Sequence, residues 1–353
     1  MSTTWAAACV LVVALLVPGA AAQETVEQEV EFCLGCHGEQ DFATVLASGD
    51  KIPLTVDPKT IAMSVHGEGL RCTDCHVGMG EVPHPERKVE NAVEFHAGFR
   101  DACKPCHFDK YALSLDGVHA KQLAAGNEMA PGCVDCHGAH EVAPAARPRT
   151  RISDTCAACH PEVADTYMKS VHGKALADGS LDVPVCIDCH RAHDISDPRV
   201  NSWLVKTPEL CASCHTDSAR MSKYGLSTSV VQTYLSDFHG VTAATTRARG
   251  SNATGESRVT ALCIDCHGVH DIMTTDAENS PVLRANLVTT CRKCHPAASD
   301  SFPDAWLSHY EPSWRRAPMV YAVKVFYMIF IPFIIGGLIL QVLLHLWRVV
   351  VNR

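Results

Sequence analysis

Nine copies of Cys-x-x-Cys-His constrain this chain more than any other feature. They begin at Cys33, Cys72, Cys103, Cys133, Cys156, Cys186, Cys211, Cys263 and Cys291, and they use 18 of the 19 cysteines. This is the attachment signature of c-type haem. Two thiols add to the porphyrin vinyl groups: Cys33 with Cys36, Cys72 with Cys75, Cys103 with Cys106, Cys133 with Cys136, Cys156 with Cys159, Cys186 with Cys189, Cys211 with Cys214, Cys263 with Cys266 and Cys291 with Cys294. The next residue lies under the iron as its proximal ligand. Those ligands are His37, His76, His107, His137, His160, His190, His215, His267 and His295. A lone Cys-x-x-Cys would also suit a zinc knuckle or a redox disulfide. Zinc needs four ligands per ion and no histidine after each pair, and a thiol oxidoreductase would carry one such motif. With 20 histidines among 353 residues, nine matches in a row are not chance.

Residues 1–22 read as a signal peptide, with an apolar run from Ala6 to Val17 and Ala20-Ala21-Ala22 before Gln23. The odd cysteine, Cys9, lies within it. Export puts the cysteines in an oxidising compartment, as thioethers and not disulfides. Near the other end, Val325 to Trp347 is uncharged over 23 positions, enough to cross a bilayer. The expected division is a signal peptide at 1–22, a periplasmic haem domain at 23–318, a transmembrane anchor at 319–348 and a cytoplasmic tail at 349–353. Trp306, Trp314, Arg315 and Arg316 are expected to seat the domain on headgroups, and His345 to lie at the inner interface. The 296 residues of the haem domain leave about 33 per motif. That is too few for an ordinary core around each cofactor, so porphyrin must supply much of the buried apolar surface. The formal charge of −9 disfavours nucleic acid and suits a basic soluble redox partner.

Taken in pairs, the motifs form four dihaem modules followed by one membrane-proximal haem. A segment such as Ser64-Val-His66-Gly67 or Ser170-Val-His172-Gly173 lies between the two motifs of a module. The second motif carries Asp in a fixed slot (Asp74, Asp135, Asp188, Asp265), read here as a turn-stabilising contact. Short helices joined by Pro- and Gly-rich loops are expected, with no strand pattern. Residues 240–262 read as an exposed insertion whose Arg247, Arg249 and Arg258 are solvated.

The sixth ligand decides the chemistry, because an iron with two protein ligands passes electrons while an open one can react. Ten histidines of the exported region remain as distal candidates: His66, His84, His96, His119, His140, His172, His193, His239, His270 and His309. The set His66, His119, His172, His239 and His309 is expected over the first haem of its own module. His140, His193 and His270 stand three residues after a proximal histidine, too close to cap their own haem, and should reach a neighbour. His84 is their stretched counterpart in the first module, and either it or His96 is spare. Histidine is plentiful enough to make methionine ligands such as Met79 unnecessary. Ligation by histidine alone implies low reduction potentials.

With these modules the chain resembles multihaem c-type cytochromes of the doubled Cys-x-x-Cys-His kind, over residues 33 to about 310. Its stretch from His309 to Arg353 is similar to the tail of membrane-anchored members that work beside a cytochrome b subunit. The resemblance implies a mainly α fold with much irregular structure, organised by haem packing, plus one C-terminal transmembrane helix. It implies nine haem c groups carrying electrons between the quinone pool, or a cytochrome b-type membrane subunit, and periplasmic cytochromes or reductases. The site is the periplasmic face of a bacterial cytoplasmic membrane. An electron carrier is favoured over the rival readings, a reductase of nitrogen or sulfur oxyanions with one open haem and a conductive filament.

Overall fold

A computed structural model of the chain describes residues 19–67, 69–144, 148–248, 260–306 and 309–352. Most of the expected signal peptide, with Cys9, lies outside these residues, as do Arg249 and Arg258. The described residues are mostly helical. Apart from Gly19–His37 and Pro318–Val351, the α-helices run from 4 to 11 residues.

The second motif of each module begins a one-turn helix, and its Asp explains why the turn forms there. The backbone N–H groups of Arg71, Gly132, Val185 and Leu262 donate to Asp74, Asp135, Asp188 and Asp265 at 2.8, 2.7, 2.6 and 2.7 Å. Each carboxylate thus satisfies a donor ahead of the helix. The Arg71 N–H and then its guanidinium hold the Asp74 carboxyl below the usual carboxylate range.

The glycine of the Ser-Val-His-Gly segment answers a steric demand. Helix Pro161–Lys169 ends at Ser170, whose hydroxyl accepts the Gly173 N–H at 3.1 Å and starts helix Val171–Ala177. A Cβ on Gly173 would overlap the Tyr167 carbonyl oxygen, and one on Gly240 would overlap that of Tyr234. Only a bare α-carbon allows so close a crossing.

Two compact units divide the chain: residues 1–158 with 190–196, and residues 159–189 with 197–353. In the first unit an antiparallel hairpin pairs Ala43–Val45 with Lys51–Pro53, Thr44 facing Ile52. No strand was expected, and strands of three residues are too short to leave an alternating pattern. In the second unit helix Phe238–Ala248 buries Gly240 and Ala243, so the expected insertion does not begin at 240. Arg247, read as solvated, pairs with Glu209. Helix Pro318–Val351 is 34 residues long, with a mean hydropathy of 2.3 in its most apolar window and none of that window buried. It is long and apolar enough to cross a membrane and fits a single-pass anchor.

Apolar packing is thin. Among the described residues only twelve hydrophobic side chains are buried, with Leu176, Val185 and Leu262 the deepest. Burial on that scale does not offset the ordering of so long a chain.

Candidate haem sites

The 18 motif cysteines are free thiols in the structure. Burial pushes Cys72, Cys103, Cys189 and Cys266 up to about 11. The hydrogen bond with Cys211 instead lowers Cys263. Among the described residues no three His, Cys, Asp or Glu side chains gather as a metal centre. The donors come in twos, as they must where a porphyrin supplies the other four.

Histidine supplies those twos. Ring centres of His37 and His84 lie 6.1 Å apart, His66 and His107 6.0 Å, His76 and His140 5.9 Å, and His137 and His193 6.0 Å. In the second unit the pairs are His172 with His215 at 6.5 Å, His239 with His295 at 6.3 Å and His267 with His309 at 6.1 Å. A metal–imidazole bond is about 2.0 Å and a ring centre lies about 1.1 Å behind its bonding nitrogen, so two imidazoles trans on one metal hold their centres about 6.2 Å apart. All seven pairs fit one iron between two rings. Burial also pushes His76, His137, His140, His172, His215, His267, His270 and His309 below the usual histidine range. The neutral ring that results is the coordinating form.

The pairing corrects the expected map. His66, His172 and His239 reach one module forward, to His107, His215 and His295, and not to the first haem of their own module. His140 and His193 reach one module back, to the second motif, as their closeness to their own proximal histidines requires. His119 holds the sequence position of the forward set, and His270 that of the backward set. The ends differ. His84 faces His37 within its own module, and His309 faces His267 one module back. His96 is exposed on helix Ala92–Ala97 and lies edge-on to Phe95.

The two classes also differ in ring geometry. The forward pairs are tilted by 48–56°, and the other four lie within 12–29° of parallel.

Contacts around the rings hold several of them in place. The hairpin delivers the Leu54 carbonyl to His37 Nδ1 at 2.8 Å, and Phe42 meets the same ring edge-on. His84 Nδ1 lies 2.8 Å from the Glu81 carbonyl. Such partners fix the tautomer and aim the other nitrogen at the metal. Phe99 packs edge-on to His76 and Phe302 against His295. Trp306, expected on headgroups, instead donates to Asp237 and packs on His309. None of these was read from sequence. A carbonyl leaves no residue-type mark, and a single aromatic is not distinctive.

The thiols also trace neighbours. Cys33 meets Cys72, Cys103 meets Cys133, and Cys211 meets Cys263, joining the two motifs of a module. Cys75 lies near Cys106, Cys189 near Cys211, and Cys266 near Cys291, joining one module to the next. The motifs linked in this way adjoin in sequence order.

No curated protein and no solved structure matches the chain. Residues 125–216, which hold four of the nine motifs, match the family model for cytochrome c3. Over that span the chain is similar to the cytochrome c3 family, and the match supports a multihaem c-type cytochrome with covalently bound haem that works in electron transfer.

Proposed function

We propose that this chain relays electrons through nine covalently attached c-type haems, each held between two histidines. The relay would run between the quinone pool, or a cytochrome b-type subunit of the cytoplasmic membrane, and periplasmic redox partners. The observation that carries this reading is the set of seven histidine pairs at the spacing of one shared iron. His119 and His270 are assigned by sequence position to the forward and backward distal roles, which gives nine distal ligands for nine proximal ones. Bound haem supplies a one-electron iron couple. The protein's part is to fix both axial imidazoles, so that charge moves with little change of ligation, and to hold neighbouring attachment edges together.

In this assignment residues 23–318 lie in the periplasm and residues 319–348 in the membrane. Trp314 is exposed beside Tyr321, and Arg316 lies over the Tyr310 ring, an aromatic and basic collar for headgroups. Haem content and spin state test the proposal. Purified full-length protein should hold nine haems per chain, all low-spin, and bind no carbon monoxide when reduced. One carbon monoxide per chain would favour the reductase, and markedly fewer than nine haems would overturn the count.

A further inference from the structure

Three joints between modules are strapped by one main-chain hydrogen bond each. The Val65 N–H donates to the Val142 carbonyl at 2.8 Å, Val118 to Ile195 at 2.7 Å and Val171 to Ile272 at 2.8 Å. The donors immediately precede His66, His119 and His172, and the acceptors lie two residues beyond His140, His193 and His270. One bond therefore ties together the two segments that carry distal rings to adjacent centres.

The last joint differs: the residue three after His295 is Ala298, not histidine. His309 takes that capping place. Here the Trp306 Nε1–H donates to Asp237 Oδ2 at 2.6 Å, across 69 residues of sequence. Asp237 stands two residues before His239, in the slot that Ser64 and Ser170 hold before His66 and His172. Trp306 meets the His309 ring edge-on, with centres 5.7 Å apart and planes at 81°. The Asp237 carboxylate also acts electrostatically on His309. Here a side-chain pair ties the segments that carry two of the distal candidates, and the Asp237 carboxylate bears on one of them.

We propose that Asp237 and Trp306 are positioning residues that depress the reduction potential of the centre held by His267 and His309. The inference rests on the haem reading above. A carboxylate near an axial imidazole favours the oxidised iron, which carries one more positive charge. The indole holds the His309 plane near that of His267, from which it departs by 23°. The segment that carries this ligand leads directly into helix Pro318–Val351, so the tuned centre is one coupled to the membrane end of the relay.

The test uses full-length holoprotein in detergent. In Asp237→Asn the midpoint of one centre among the nine should rise by a tenfold change in its one-electron equilibrium constant, about 59 mV. Apart from the centre of His239, whose ligand lies two residues from Asp237, the other midpoints should stay in place, and Asp237→Glu should restore the first. Trp306→Phe keeps a ring but loses the donor, and should broaden the low-spin resonance of that same centre. Unmoved midpoints with an unchanged resonance would overturn the proposal. So would shifts shared with centres other than those of His309 and His239, or haem loss in both variants, since either marks a merely structural contact. Should Asp237→Asn not assemble, Trp306→Phe decides alone. Failure of the haem reading would show separately, as low haem content in the unaltered protein.

Discussion

His84 and His96 stand close together in sequence, yet the structure places them differently. His84 faces His37 and has a carbonyl on its other nitrogen, whereas His96 is exposed and meets Phe95 edge-on. His84→Ala is therefore expected to create one high-spin haem that binds carbon monoxide, while His96→Ala should leave the optical spectrum unchanged. Gly173 offers a stability test at the same scale. A methyl there meets the Tyr167 carbonyl, so Gly173→Ala should cost about 1–3 kcal/mol as an overpacked crossing, read as a lower thermal midpoint. The motif cysteines and the histidine after each pair stand out in sequence because their spacing is fixed and repeated. The partner of each distal ring was not. His66 is nearer in sequence to His76 than to His107, yet it faces His107, a choice set by how the helices cross and recorded by no spacing.

Among elements, the one-turn helices of the second motifs depend on their Asp. Removing the Asp265 carboxylate strands the Leu262 N–H, a buried residue's donor. Asp265→Ala should cost about 0.5–2 kcal/mol, the usual worth of a helix cap, with haem stoichiometry intact. An unchanged thermal midpoint would show the cap to be dispensable. This element was readable in outline, since the same Asp recurs in four motifs. Helix Phe238–Ala248 was less readable, because its Thr- and Ala-rich run resembles a loop by composition while Gly240 and Ala243 are in fact buried against neighbours. The hairpin was invisible for lack of length, although it carries the chain to Leu54 and so orients His37.

For the whole molecule, twelve buried hydrophobic side chains among the described residues make a poor core. Chain produced without haem attachment is expected to show weak helical circular dichroism and rapid proteolysis, because in the proposed reading the macrocycles would supply most of the interior. Native-like dichroism in such material would contradict this. Removing residues 318–353 should release the haem domain from the membrane fraction with its visible spectrum unchanged, since none of that helix's apolar window is covered by protein.

The forward and backward reach of the distal rings resembles the overlapping bond of brickwork. A pair such as His76 with His140 draws on two successive repeats, so cutting the chain at that boundary would leave unpaired rings on both sides. If each pair holds one iron as proposed, such an array would be lengthened or shortened only by whole repeats.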